Sequence, residues 1–251
     1  MPVRLRSLTK FVFPKKLPAK YGGGRMLVTG RSDMRVLKPG WGPSAFDLML
    51  VTDHHIKPGM VVWDIGANLG ILAVMAASKV RLAGGVYALE ADPYYAHLIS
   101  RSARRLSSAY QPVNVLCAAI ADDYGVGEFG ISSAGHARNR LLRGDDQAEG
   151  LEARKYVPMV TGDGLLDSWR APDFIKMDVE GAELIALKGC DRLLRTVRPV
   201  FYIEVSPGNA EAVAALYRAY DYEIFHLTGD SGEEPRDICS FYTIARPAPK
   251  S

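Results

Sequence analysis

The 251-residue chain is poor in cysteine: Cys117, Cys190 and Cys239 are scattered and odd in number, with no C-x-x-C spacing. That pattern argues against a disulfide framework or a zinc site and for a reducing compartment. Long apolar runs are lacking too; the longest, around Ile71 to Ala77, is far too short to span a bilayer. The first twenty residues do not read as a secretory signal, because Arg4, Arg6, Lys10, Lys15, Lys16 and Lys20 interrupt them, with Pro14 and Pro18 between. A cytoplasmic protein is therefore expected. No internal repeat or low-complexity segment is present. With 48% hydrophobic and 24% charged residues the composition is that of an ordinary soluble globular protein, and the length suits one sizeable α/β domain plus an extension.

Acidic residues are almost missing from the start of the chain. Residues 1–38 hold ten Lys or Arg against the single acid Asp33, a balance of +9 that leaves −6 for the other 213 residues within the net charge of +3. Residues 1–40 are expected to form a basic, partly flexible extension and residues 41–251 the main domain, with Gly22-Gly23-Gly24 a flexible point and Met26 to Thr29 an edge strand. Two readings of the extension stay open: a solvated tail, or an arm touching an anionic surface such as lipid headgroups or nucleic acid.

Beyond it, residues 44–55 read as a helix with Ser44 as N-cap, stopped by Lys57-Pro58-Gly59. Strand patterns at 60–64, 86–90, 113–117, 173–178 and 199–204 then alternate with helical patterns near 69–79, 93–106, 181–188 and 209–219, the signature of a parallel sheet of βαβ units. Tyr222 to Leu227 and Cys239 to Ala245 lie too close together to enclose a crossover helix, so they should pair antiparallel. Residues 125–142, rich in Gly and Ser and carrying His136, Arg138, Asn139 and Arg140, are expected to form a long substrate loop.

Four of the apolar runs end in a carboxylate: Asp64, Glu90, Asp178 and Glu204. In an open parallel sheet, ligands bind at the carboxyl ends of the strands, so these acids should face one crevice. Like charges so crowded need a cation among them. Asp64 continues as a glycine-rich turn through Gly66, Ala67, Asn68 and Gly70 into a helix. Unpaired N–H groups there would suit an anionic group, and Gly66 would let the backbone approach a ligand. Asn68 stands where a nicotinamide-binding turn has its second glycine, so an amino-acid carboxylate fits better than a pyrophosphate. Glu90, twenty residues beyond Gly70, is placed to accept hydrogen bonds from both ribose hydroxyls of an adenosine. Lys176 and Asp178 share one face of a strand buried on both faces, where an unpaired charge costs several kcal/mol. Lys176 therefore needs a carboxylate partner, and a structural ion pair is the favoured reading.

The turn from Asp64 to Gly70, Glu90, Thr161 with Asp163, the run from Ile175 to Glu183 (IKMDVEGAE) and the Glu204 strand together resemble the FkbM family of S-adenosylmethionine-dependent methyltransferases. The resemblance covers roughly residues 55–228. It implies a Rossmann-like class I methyltransferase fold: a mostly parallel seven-stranded sheet with an antiparallel final hairpin and helices on both faces. It also implies S-adenosylmethionine as cofactor, S-adenosylhomocysteine as product, and methyl transfer to a hydroxyl oxygen. Carried onto this chain, Gly66, Ala67, Asn68 and Gly70 surround the methionyl part and Asp64 sits near its ammonium. Glu90 holds the ribose beside Ala91 and Asp92, Ala118 and Ala119 flank the adenine, and the cofactor's cationic groups offset the acid cluster.

An alcohol must lose its proton as the new bond forms. Asp178 and Glu180 are the first candidate bases, with Asp178 alternatively only orienting the cofactor amine, and His136 is the runner-up. Asp178, Glu180 and Glu204 are also the candidate ligands for Mg²⁺, although nothing in their spacing demands a metal. The expected acceptor is a hydroxyl of a small molecule, natural product or glycan. The alternatives are RNA ribose methylation using the basic arm, and a nucleotide-binding module without catalysis. Base amino methylation is disfavoured, because Asp178-Val179-Glu180-Gly181 stands where an Asn/Asp-Pro-Pro-aromatic motif would be.

Overall fold

A computed structural model describes residues 11–32, 34–132, 139–142, 150–228 and 232–249. The apolar runs form the strands of one eight-stranded sheet: β3 (Val61–Ile65), β4 (Gly85–Leu89), β5 (Val113–Leu116), β10 (Phe174–Met177), β11 (Val200–Glu204), β12 (Tyr222–Leu227), β13 (Glu233–Pro235) and β14 (Tyr242–Pro247). Their order is β5-β4-β3-β10-β11-β14-β12-β13. The first five are parallel, and β14 runs antiparallel between β11 and β12. This is the sheet that the resemblance implies, with one correction: there are eight strands, because Glu233–Pro235 adds an edge strand to β12.

Strands buried on both sides alternate their side chains between two cores. Val62, Val86, Ala88, Phe174 and Tyr202 pack on one side against Leu72, Ala73, Ala76 and Val80 of α2 (Ile71–Val80). Trp63, Ile65, Ile175, Met177 and Phe201 face the other side, against Ala186 and Leu187 of α4 (Glu183–Lys188) and Val213 and Tyr217 of α5 (Ala210–Ala219). Each such fully buried large side chain contributes about 1.5–3 kcal/mol. α3 (Pro93–Ala103) begins at Asp92, whose side chain accepts the Tyr94 N–H at 3.0 Å. α1 (Pro43–His55) begins one residue before the predicted cap: Gly42 is the N-cap and Pro43 opens the helix, where its missing N–H costs nothing.

The described part of the basic extension is folded. β1 (Val12–Lys16) and β2 (Arg25–Thr29) form an antiparallel hairpin. Met26, Leu27 and Val28 join Leu17 and Tyr21 in a core shared with Val74 and Met75 of α2 and with Tyr95 and Leu98 of α3.

The predicted loop at 125–142 needs a larger correction. β7 (Gly125–Ser132) and β8 (Arg140–Leu141) join β6 (Ala119–Ile120) and β9 (Leu151–Val160) in a second, four-stranded sheet of order β6-β9-β7-β8. The glycines are there to admit neighbours: a Cβ on Gly127 would lie 2.7 Å from Met159 Sδ, and one on Gly130 2.8 Å from Leu151. Phe129 and Ile131 alternate into a small core with Ala91 and Ala119. His136 and Arg138 lie outside the described residues. Among the described residues no helix is long and apolar enough to cross a membrane, and the three cysteines are free.

Candidate active site

The turn after β3 is fixed by its protein neighbours. Gly66 has φ +69°, and a Cβ there would fall 1.8 Å from the carbonyl oxygen of Asp178. Gly70 has φ +73°, and its Cβ would press on Ile99 at 2.9 Å. Both positions therefore need glycine for the crossing of two loops and for helix packing. The turn's N–H groups are also largely spent internally. Gly66 and Ala67 donate to Leu89 O at 2.9 and 3.0 Å, Gly70 donates to Ala67 O at 2.7 Å, and Asn68 donates to Glu90 Oε2 at 2.7 Å. Asn68 takes φ +51°, a conformation Asn tolerates better than most residues, and its Oδ1 accepts from Ser32 Oγ at 2.8 Å. The turn is thus tied to the N-terminal extension.

The strand-end acids divide into two groups rather than one. Lys176, in register with Asp64 across β10 and β3, is 4% exposed and supplies its own cation to three of them. Its ammonium donates to Gly66 O at 2.7 Å and lies 3.4 Å from Asp178 Oδ2 and 3.6 Å from Asp64 Oδ1. Burial opposes its charge, but the Asp178, Asp64 and Glu204 carboxylates reverse that and hold it protonated. The acids are therefore tolerated through Lys176, which corrects the expectation that a cofactor's cationic groups must offset them. Asp64 is 1% exposed; Oδ2 accepts the Ala73 N–H at the start of α2 at 2.9 Å, and Oδ1 has no hydrogen-bond donor. Burial pushes its carboxyl up, while Lys176 and the Ala73 N–H pull it back. Burial and the nearby Asp178 push the Glu204 carboxyl up to about 8.

Glu90 stands apart. Its Oε2 accepts from Asn68 N–H and its Oε1 from Asp92 N–H at 2.8 Å, and burial outweighs both bonds to push its carboxyl up to about 7. Glu183, 1% exposed, closes the motif after β10: it accepts from Gly181 N–H, Ser206 Oγ and Asn209 Nδ2 at 2.6–2.9 Å. Glu180 itself is exposed with φ +42°.

Two adjoining cavities open at this sheet edge. A cleft of about 590 Å³ is lined by Gly66, Asn68, Glu90, Ala91, Ala118 and Ala119 among the predicted residues. A second cavity, of about 1080 Å³, is lined by Asp64, Ala67, Lys176 and Glu204. Asn68, Asp178 and Glu180 line both. Gly70 and Asp92 line neither. Asp92 is instead a buried helix cap that pairs with Lys155 at 3.0 Å. Phe129, Asn139 and Leu141 reach the cleft from the segment expected to form a substrate loop, whereas sequence reasoning missed Tyr95 in the cleft and Ser32, Arg35 and Tyr242 in the second cavity. Only the alternation of Phe129 and Ile131 could have announced the sheet that covers the cleft. Among the described residues no group of three or more His, Cys, Asp or Glu has metal-holding geometry, so Asp178, Glu180 and Glu204 are not gathered as a ligand set.

The cleft's residues fit an adenosine-containing cofactor. Small and apolar side chains form its walls, and a buried carboxylate sits at one end. Asp64 Oδ1, buried without a donor in the adjoining cavity, leaves an acceptor for an ammonium.

Comparison with known proteins agrees. The model of the methyltransferase FkbM domain matches residues 64–228, about two thirds of the chain. The hexuronic acid methyltransferase AglP of Haloferax volcanii is 25% identical over 150 residues, 59% of this chain and 56% of that protein. An arginine N(omega)-methyltransferase of Streptomyces achromogenes subsp. streptozoticus is 29% identical over 165 residues, 57% of this chain and 44% of its own length. The chain thus spans about half the length of the curated relatives it matches. Among solved structures, precorrin-6y C5,15-methyltransferase from Geobacter metallireducens aligns with TM-score 0.48 at 16% identity, covering 84% of this chain and 90% of that one. With the family's domain matched across the turn, Glu90 and the Lys176–Glu183 motif, the chain belongs to the FkbM family of S-adenosylmethionine-dependent methyltransferases.

Proposed function

We propose that the chain is an O-methyltransferase acting on a hydroxyl of a small molecule or saccharide held in the second cavity. One observation carries this reading: the cleft and the cavity share Asn68, Asp178 and Glu180, so donor and acceptor would meet across those residues. When bound, the cofactor supplies a methyl group activated on a sulfonium. The chain's part is to hold, align and keep water out. Glu90 receives the ribose hydroxyls, Ala118, Ala119 and Phe129 flank the base, and Leu72 and Val36 dry the wall opposite.

As the acceptor oxygen bonds to the methyl carbon, the carbon–sulfur bond breaks toward sulfur and the hydroxyl proton needs a base. Asp178, held by Lys176 at 3.4 Å, has its negative charge already compensated. Glu204 lines only the acceptor side, and its carboxyl, pushed up to about 8, is the stronger proton acceptor once ionised. It takes the proton in this reading, with Asp178 and Glu180 orienting the reacting groups. A general base contributes about 10²–10⁴-fold.

A second reading has its own observation: Asp64, Asp178, Glu180 and Glu204 give the cavity four carboxylates against Lys176 and Arg35, a lining that also suits a guanidino or amino acceptor. Incubation with S-adenosylmethionine and either methyl glucuronide and glucose or arginine and agmatine, read by mass spectrometry, separates the two. An alkali-stable methyl ether on a sugar supports the first, and methylated guanidine supports the second. Stoichiometric cofactor binding without turnover on any acceptor contradicts both and leaves a nucleotide-binding module.

A further inference from the structure

The turn that leads into α2 keeps most of its backbone donors for itself. Gly66, Ala67 and Gly70 give their N–H groups to carbonyl oxygens, and Asn68 gives its own to Glu90. Lys176 is committed to Gly66 O, Asp178 and Asp64. The carboxylate at the amino-acid end of S-adenosylmethionine therefore finds few donors here apart from the side chain of Asn68, which is half-buried and lines both the cleft and the second cavity. An amide carries an acceptor at one end and two donors at the other. Which end faces the cofactor decides whether Asn68 attracts a carboxylate or repels it.

Ser32 makes that choice. Its Oγ donates to Asn68 Oδ1 at 2.8 Å, which turns the acceptor end toward the N-terminal extension. Among the described residues Asn68 Nδ2 has no hydrogen-bond partner. Ser32 itself is held by the extension. A Cβ on Gly30 would lie 2.7 Å from Met34 Sδ and 2.9 Å from Leu37 Cδ1, so the chain turns tightly from β2 into a short 3₁₀ turn at Met34–Leu37. Lys15 of β1 clasps that turn by donating to Val36 O and Lys38 O at 2.7 and 2.9 Å, and the Arg31 guanidinium lies over the Tyr94 ring at 5.2 Å. All of these but Tyr94 lie outside the matched domain at 64–228. We propose that Ser32 is a positioning residue for the cofactor: by donating to Asn68 Oδ1 it aims the Nδ2 donors at the carboxylate of the cofactor's amino-acid end, so that the extension sets the affinity for that end. The inference rests on the cofactor assignment and not on which acceptor is methylated.

The test is calorimetric titration of the full chain with S-adenosylhomocysteine and with 5′-methylthioadenosine, which keeps the nucleoside and the thioether but lacks the amino-acid end. S32A should bind S-adenosylhomocysteine roughly two- to tenfold more weakly, the worth of one hydrogen bond, and 5′-methylthioadenosine as the wild type does. S32T, which keeps the hydroxyl, should restore the wild-type affinity. N68D keeps an oxygen for Ser32, replaces the donors by a second acceptor, and suits the backbone at φ +51°. It should weaken S-adenosylhomocysteine by at least about tenfold through like-charge repulsion and spare 5′-methylthioadenosine. Wild-type affinity of S32A for S-adenosylhomocysteine overturns the proposal. So does an equal loss of both ligands, which would make Ser32 a support of the whole turn, and so does an N68D variant that binds S-adenosylhomocysteine as well as the wild type, which would put an oxygen of residue 68 against the cofactor's ammonium. A wild-type chain that binds neither ligand would refute the cofactor assignment itself, whereas wild-type binding that S32A leaves intact refutes the role of Ser32 alone.

Discussion

Replacing Lys176 with methionine should unfold the site from within. The substitution keeps length and apolar volume but removes the bond to Gly66 O and leaves Asp64, 1% exposed, without a countercharge. Removing one partner of a buried ion pair costs about 3–5 kcal/mol. At roughly 2–4 °C per kcal/mol for a chain of this size, the melting temperature should fall by roughly 6–20 °C. The loss depends on pH with a definite sign. In the variant, Asp64 keeps the burial that raises its carboxyl and loses the lysine that lowered it, so the ionised form bears the penalty. The stability gap to the wild type should therefore narrow as pH falls and the carboxyl is protonated, and widen toward pH 8. The double variant K176M/D178N should recover part of the loss. Urea denaturation at pH 5 and pH 8 measures all of this. A loss under about 1 kcal/mol, or a gap that widens in acid, would refute the account of Lys176 as the cation that makes the acids tolerable.

Gly66→Ala should cost more than about 2 kcal/mol by urea denaturation, because the left-handed backbone and the Asp178 carbonyl oppose the new Cβ together; wild-type stability would mean the two loops separate freely. Glu204→Gln should lower kcat by roughly 10²–10⁴-fold and leave S-adenosylhomocysteine affinity within about twofold, since Glu204 lines the acceptor cavity alone. In the wild type, kcat/KM should rise with pH through about 8 as that carboxyl ionises among Asp178, Glu180, Lys176, Tyr202, Tyr242 and Asp47. A flat profile would assign the proton elsewhere. Glu90, pushed up to about 7, should make S-adenosylhomocysteine bind more tightly at pH 8 than at pH 6, because its ionised form accepts the ribose hydroxyls; equal affinity by calorimetry would contradict that role.

Much of the sheet was legible because strands buried on both faces leave continuous apolar runs, and β3, β4, β10 and β11 fall within a residue or two of where those runs lie. The need of Lys176 for a carboxylate was legible for the same reason: a charge in such a strand has nowhere else to go. What was not legible depends on contacts remote in sequence. The packing need for glycine at position 66 comes from Asp178, more than a hundred residues away in the sequence. The run from Gly125 to Ser132 reads as a loop because its glycines hide the alternation of Phe129 and Ile131, and its partner β9 is polar on its outer face. Asp92 reads as a ribose neighbour beside Glu90, but the register of α3 makes it a cap. The hairpin of β1 and β2 was half legible: Met26 to Thr29 is apolar enough to announce a strand, whereas Val12–Lys16 carries a proline and two lysines.

The central claim is that the cleft beneath Glu90 takes S-adenosylmethionine. Calorimetric titration of S-adenosylhomocysteine into the purified chain, alongside NAD and with Glu90→Ala in parallel, tests it most directly. The account predicts a micromolar dissociation constant, about −8 kcal/mol, that weakens at least tenfold in the variant, and no uptake of NAD. Absence of S-adenosylhomocysteine binding, or a preference for NAD, would contradict it.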